Sequence, residues 1–250
     1  MNKKKGYGLY RKMRFYERYI KRVIDIFCSI LAMVVFCWLY AIIALMVRIK
    51  MGSPVLFVQY RPGLIDFRTG KERIFKMYKF RTMTDERDEN GNLLPDEVRL
   101  TKFGAWLRES SLDELPEVFC IFNGTMTLIG PRPQLVRDMV FMSEEQRMRH
   151  TAKPGLSGLA QVSGRNAISW EKKIQYDLDY IGNVSFGLDL KILIKTVIKA
   201  FVKREGITEE DSATAEDLGD YLLRTKQISI EKYNRKQNEA KKILKGLNNE

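Results

Sequence analysis

From Ile26 to Val47 the chain runs 22 residues without a charged side chain. At about 1.5 Å per residue such a run is roughly 33 Å of helix, close to the thickness of a bilayer core. It is too long for a signal peptide, starts after 25 residues, and lacks a small-residue cleavage pattern. Core helices rarely continue so far without a polar face, so the pattern predicts a membrane helix. Both flanks are basic. Residues 1–22 carry nine Lys and Arg against one acid, Glu17, and Arg48, Lys50, Arg61, Arg68, Lys71 and Arg73 follow the run. A spanning helix normally has an asymmetry of positive charge. A re-entrant helix, entering and leaving by the cytoplasmic face, satisfies both flanks; an ordinary span oriented by the denser N-terminal charge is the alternative.

Downstream the periodicity changes. Residues 54–60 and 73–80 read as short strands, separated by Pro62-Gly63 and Thr69-Gly70. Residues 84–97 form an acidic loop. Helices are predicted over 97–109, 116–123, 134–150 and 169–182, joined by Gly- and Pro-rich loops at 153–158 and 163–166. In Leu188–Arg204, Lys191, Lys195, Lys199 and Lys203 recur every four residues among apolar neighbours. That is one narrow lysine stripe on a helix, as in a helix lying in the headgroup layer or a core helix with one solvated face. Residues 10–22, with Tyr10, Phe15, Tyr16 and Tyr19, read as an interfacial lead-in. Residues 232–247 are compatible with a helix or with disorder.

The expected fold class is α+β, mostly helical with a small β-sheet, plus an N-terminal re-entrant membrane helix and interfacial amphipathic helices. The expected parts are a basic lead-in (1–22), the membrane helix (23–50), a catalytic domain (51–204, including the interfacial helix 188–204) and a polar tail (205–250).

Composition narrows the chemistry. The 250 residues contain one histidine, His150, and three scattered cysteines. A His triad, a His-rich metal site or a Cys-His dyad cannot be assembled, and no disulfide framework is present. With 43 basic and 31 acidic residues the net charge is +12, which points to phosphate-bearing partners. Carboxylates are then the candidates for chemistry, with Arg and Lys handling anions.

Asp113 and Glu114 are the outstanding pair. Ser111-Leu112-Asp113-Glu114 fits a capping box, which would make both acids structural. Pro116 favours a helix that starts at the proline, with both acids just ahead of it, where the field of the helix end would keep Asp113 ionised as a nucleophile requires. The residues alone leave both readings open. Gly130-Pro131-Arg132-Pro133 presents one guanidinium from a restricted backbone, a form suited to bidentate phosphate binding or to a stiff connector. Lys79 and Arg81 lie two apart at a strand end and point to one face. Gly164-Arg165-Asn166 is a turn with another candidate anion ligand. Glu86-Arg87-Asp88-Glu89-Asn90-Gly91 with Glu97 approaches a calcium-loop pattern, but Glu replaces the first Asp and Pro95 intrudes.

Taken in order, Gln59-Tyr60-Arg61-Pro62-Gly63, Lys79-Phe80-Arg81-Thr82-Met83, Leu112-Asp113-Glu114-Leu115-Pro116, Gly130-Pro131-Arg132-Pro133, Lys153-Pro154-Gly155-Leu156-Ser157-Gly158 and Gly164-Arg165-Asn166 resemble the bacterial sugar transferase family, the monotopic phosphoglycosyl transferases, and their small PglC-type members. The resemblance implies transfer of sugar 1-phosphate from a UDP-sugar to polyprenyl (undecaprenyl) phosphate at the cytoplasmic membrane face, with release of UMP. It implies Asp113 as a nucleophile forming a phosphosugar–aspartate intermediate and Glu114 as a ligand of Mg²⁺. Arg132, Lys79, Arg165 and Arg81 become ligands of substrate phosphate. The implied partners are a UDP-sugar, polyprenyl phosphate and the bacterial inner membrane with its anionic lipid; no nucleic acid is expected. The sugar and the oligomeric state are not specified. One departure stands out. Smaller family members break the membrane helix with Ser-Pro, whereas Cys37-Trp38 stand here and no proline occurs between 23 and 53. Re-entrant geometry then depends on packing, on Ser29 or on the basic flanks. The competing function is a non-enzymatic basic adaptor on anionic lipid.

Overall fold

The apolar run folds as two helices rather than one, in a computed structural model that describes residues 11–164, 168–199 and 216–248. A π-helical turn, Tyr16–Ile20, leads into α1 (Lys21–Val35), and α2 is Cys37–Met51. They bend by 64° at Phe36, whose φ of −102° and ψ of 10° leave the helical range. Among the described residues no single helix is long and apolar enough to cross a membrane; the bent pair passes that test jointly, by length and composition.

The polar pattern of α1 is the reverse of a water-facing helix. Its buried residues are Lys21, Asp25 and Ser29, spaced four apart on one stripe. Val23, Phe27, Val34 and Val35 are exposed, as are Phe36 and Trp38 at the bend. The two halves are held by different parts of the body. Arg22 donates to the carbonyls of Ile121 and Phe122. Asp25 accepts the Thr127 hydroxyl and the Leu128 N–H. On α2, Ile43 and Val47 pack with Phe80 and Leu107, and Tyr40 donates to the Leu115 carbonyl at 2.6 Å. Ser29 bonds Ile26 within α1 at 3.0 Å, about two turns before the bend. Packing of both halves is therefore what accompanies the bend, in place of a proline.

Two strands, β1 (Leu56–Asp66) and β2 (Lys71–Phe80), pair as an antiparallel hairpin. The strands expected at 54–60 and 73–80 are present, but β1 continues through Pro62-Gly63 instead of turning there. The ladder slips between Pro62 and Ile65. Proline has no N–H to lose at such an irregularity and is tolerated in it. The turn is at 67–70, closed by Gly70 at φ 67°.

The helix expected over 97–109 is two, α3 (Asp96–Arg99) and α4 (Lys102–Glu109). Thr101 between them accepts the Gly104 N–H and starts α4 afresh. After α5 (Glu117–Asn123) comes β3 (Thr127–Ile129). The segment 134–150 is not one helix but α6 (Val136–Met139), α7 (Glu144–Arg147) and a 3₁₀ turn at Met148–Thr151. Ser143 and Gln146 form a capping box that restarts the chain at α7. The loop expected at 153–158 contains β4 (Gly155–Ser157), parallel to β3. There α8 (Leu159–Ser163), α9 (Trp170–Gly182) and α10 (Phe186–Ile198) follow. Only Asp189 and Ile192 of α10 are buried, and Leu190, Leu193, Ile194 and Val197 are exposed, so α10 is no core helix. Residues 218–248 hold α11 (Leu218–Arg224) and α12 (Ile230–Asn248). The described residues are thus α+β, mostly helical with two small two-stranded sheets.

Candidate active site

Four chain segments converge on one group of charges. Lys79 is the penultimate residue of β2. Asp113 and Glu114 belong to a 3₁₀ turn, Leu112–Glu114. Glu117 opens α5, and Pro116 precedes it as the N-cap. Arg132 comes from the loop after β3. The capping-box explanation of Asp113 and Glu114 does not hold. Ser111 is left-handed (φ 57°) and makes no side-chain cap bond; the helix starts after the proline.

Lys79 Nζ is the hub. It lies 2.6 Å from Glu114 Oε1, 3.2 Å from Glu117 Oε1 and 3.9 Å from Asp113 Oδ2. Arg132 Nη2 reaches the same Glu114 oxygen at 2.7 Å. Asp113 is 7% exposed and Glu117 3%. Burial opposes ionisation of all three acids, and the cations offset it unevenly. Glu114 has its charge opposed by burial, but Arg132 and Lys79 outweigh that and hold its pKa far below the carboxylate range. Burial lifts Asp113 to about 6, against the pull of Lys79 and with Glu114 adding repulsion. Burial and Glu114 lift Glu117 to about 7. The sequence led to the expectation that the helix-end field keeps the Asp113 pKa low; instead burial raises it. For Lys79, burial is outweighed by Glu114 and Glu117, and its pKa is raised.

The loop carrying Arg132 is clamped on two consecutive carbonyls. Arg149 Nη2 donates to the Arg132 carbonyl at 2.6 Å, and Arg61 Nη1 to that of Pro133 at 3.1 Å. Arg149 is 1% exposed and is neutralised by Asp177. Arg61 also bonds Gln59, and burial with the neighbouring Arg132 lowers its pKa to about 10. Below the loop, Gly130 and Gly155 meet backbone to backbone. A Cβ on Gly155 would sit 2.1 Å from the Gly130 nitrogen, so only glycine lets the Gly-Pro-Arg-Pro and Lys-Pro-Gly motifs close on each other.

Of the predicted site residues, Asp113, Glu114, Lys79 and Arg132 come together. Arg81 does not join them. Its guanidinium is taken by the Met51 and Ser53 carbonyls and by Asp85, so it ties the end of α2 to β2. Arg165 lies outside the described residues. Sequence reasoning missed Glu117, Arg61 and Arg149. An acid in the first turn of a helix is ordinary, which hides Glu117 although it follows Glu114 by three. Asp88 in the calcium-like loop has Oδ1 accepting the Asn90 and Asn92 N–H groups, so it shapes a turn.

The family model for bacterial sugar transferases matches residues 16–203, which include every one of these groups. The chain belongs to that family. It is 50% identical over 197 residues to the uncharacterized sugar transferase EpsL of Bacillus subtilis, covering 79% of this chain and 94% of that one. It is 37% identical over 194 residues to the UDP-glucose:undecaprenyl-phosphate glucose-1-phosphate transferase of Klebsiella pneumoniae, covering 74% of this chain and 40% of that one. The UDP-N-acetylgalactosamine-undecaprenyl-phosphate N-acetylgalactosaminephosphotransferase of Aeromonas hydrophila is 34% identical over 190 residues, covering 72% and 43%. The chain therefore spans less than half the length of the Klebsiella and Aeromonas proteins.

Proposed function

We propose that this sugar transferase moves sugar 1-phosphate from a UDP-sugar to undecaprenyl phosphate, releasing UMP, at the cytoplasmic face of a bacterial membrane. The observation that carries the reading is the convergence at Asp113: a buried carboxylate 3.9 Å from Lys79, next to Glu114, which Lys79 and Arg132 both reach, with burial pushing its pKa up to about 6. Above that pH it is ionised but poorly solvated, the state of an active nucleophile. An Asp113 oxygen attacks the sugar-bearing phosphorus of the diphosphate. The bond from that phosphorus to the bridging oxygen breaks, and UMP leaves with the electron pair. A phosphate oxygen of undecaprenyl phosphate then attacks the same phosphorus, and the bond to Asp113 breaks to restore the carboxylate. Such transfers depend on positioning and charge neutralisation, which Lys79 and Arg132 supply.

The donor set suits Mg²⁺, because Asp113, Glu114 and Glu117 offer hard oxygens. Among the described residues no group of three or more His, Cys, Asp or Glu can hold a metal by itself. One or two carboxylates, Glu114 first, would hold the ion together with substrate phosphate and water, the usual manner for Mg²⁺. When bound, it would neutralise diphosphate charge.

The reversed pattern of α1 supports a membrane location. Its exposed face is apolar and its buried face polar, which is stable where the surroundings are hydrocarbon. Both ends of the α1–α2 pair are bonded to the body, while Phe36 and Trp38 at the bend are exposed, the arrangement of a re-entrant element. The exposed apolar residues of α10 fit a helix in the interface. An adaptor on anionic lipid would account for these surfaces but leaves the buried acids without a use. The relatives' names carry different sugars, so the sugar is left open. The test is to supply labelled UDP-sugars with no lipid acceptor and look for label on the protein. A phosphosugar adduct on Asp113 is the expected result; UMP release with no adduct would refute the two-step route.

A further inference from the structure

Residues 216–248 lie beyond the stretch that the family model matches, yet they are packed on the element that follows Arg132. Asp138 of α6 is 2% exposed and divides its carboxylate between two segments. Oδ2 accepts the N–H of Leu135, at the end of the Pro-Arg-Pro loop, at 3.0 Å. Oδ1 accepts the N–H of Leu218, in the C-terminal arm, at 2.9 Å. One side chain therefore ties the loop to the arm. Arg137 next to it pairs with Asp217 at 2.6 Å. On the other side of α6, Ala240 of α12 is 2% exposed and packs with Val136, Met139 and Val140. The fit is close at α11 as well, where a Cβ on Gly219 would come within 2.6 Å of the Phe141 ring.

We propose that the C-terminal arm is a positioning element for Arg132: seated on α6 and tied through Asp138, it holds the Pro-Arg-Pro loop where Arg132 reaches Glu114. Arg61 and Arg149 grip that loop from inside the body, and the arm fixes its exit. A guanidinium set in this way meets substrate phosphate without a search. Loss of the arm's seat then weakens binding of the UDP-sugar more than it slows the chemical step. The kinetic part of this proposal rests on the transfer reaction proposed above; the mechanical part does not.

The test uses the full chain in lipid nanodiscs. Ala240→Glu unseats α12, Gly219→Val crowds Phe141, and Asp138→Asn cannot accept both N–H groups; Ala240→Ser is the conservative control. Each unseating variant is expected to raise the KM for UDP-sugar by about 10- to 100-fold, the loss of roughly one charge-assisted contact. The KM for undecaprenyl phosphate should change far less, and Ala240→Ser should behave as wild type. Hydrogen exchange should accelerate at residues 134–136 together with 230–248. Faster exchange in the arm alone, or an opened arm with an unchanged KM, overturns the proposal. If Ala240→Glu does not fold, Asp138→Asn carries the same comparison. If the wild-type chain releases no UMP, the reaction is refuted, and exchange at residues 134–136 still decides whether the arm holds the loop.

Discussion

The polar cluster beneath α1 and the carboxylate cluster around Lys79 are both buried, and they are wired in opposite ways. Beneath α1, each acid is met by donors from several elements. Asp189 Oδ1 accepts Tyr180, its Oδ2 accepts Tyr16 and Lys21, and Asp25 Oδ1 accepts Thr127 and Leu128. Around Lys79, three carboxyls crowd one ammonium, and burial keeps two of them at about 6 and 7. A buried charge closed by donors holds structure together, and removing one partner exposes the full cost of the other. A buried acid whose ionisation is left opposed has free energy to release when it reacts. The first cluster should therefore fail in stability and the second in turnover.

The largest expected effect tests that division at its centre. Asp113→Asn should lower UMP release by roughly a thousandfold or more, as loss of a nucleophile does. Its thermal midpoint at pH 7 should equal or exceed that of the wild type. The sign follows from the raised pKa. The folded chain holds that proton more tightly than the unfolded one, so the stabilising effect is present at low pH and disappears as pH rises through about 6. At pH 7 the carboxylate weakens the fold, and an amide removes the penalty. A variant that unfolds would place Asp113 with the structural charges.

Lys21→Met is the mirror experiment. It leaves Asp189 buried without its cation and should destabilise the chain by about 3–5 kcal/mol, read by urea unfolding in detergent. Folded variant protein should retain its KM for UDP-sugar. Full stability with lost turnover would erase the contrast between the clusters.

Glu117→Gln sharpens it further. The wild-type rate should fall on acidification through about pH 7 and again through about 6, as Glu117 and then Asp113 take up protons. The variant should lose less activity than Asp113→Asn and keep only the lower limb of the pH profile. An unchanged profile would remove Glu117 from the site.

The smallest effect concerns His150, which is 5% exposed and 3.0 Å from Glu72. Burial lowers its pKa from near 6.5 to about 4. The unfolded chain takes up this proton first, so the His150 contribution to stability is complete above pH 6.5 and declines as pH falls toward 4, by up to about 3 kcal/mol. The difference in urea midpoint between wild type and His150→Gln measures it, because the opposite trend from Asp113 and Glu117 is common to both; the variant should gain on the wild type as pH falls from 7 to 4.

Much of the candidate site was legible because proline restricts the backbone wherever it falls and glycine marks a close approach that no other residue allows. Pro116 placed the start of α5, and Gly130-Pro131-Arg132-Pro133 announced a rigid guanidinium. Glu117 was not legible, since its spacing is that of any helix start. Arg81 misled, because strand alternation says which side a residue faces and nothing about which carbonyls wait there. The segment 134–150 read as one helix because its apolar spacing continues across Ser143, where a local capping box breaks it. Strands of three residues, β3 and β4, are too short to show a period at all.

Taken alone, the order of residues determined the elements that local physics controls: an uncharged helical run, a hairpin, helix starts at prolines, and a chemistry confined to acids with basic partners. Only the folded molecule decided which way α1 turns, because the partners of Lys21 and Asp25 lie more than a hundred residues away in the chain. It also decided which acids resist ionisation. A pKa depends on burial and on neighbours brought in from distant segments, and those are not properties of a carboxylate's place in a sequence.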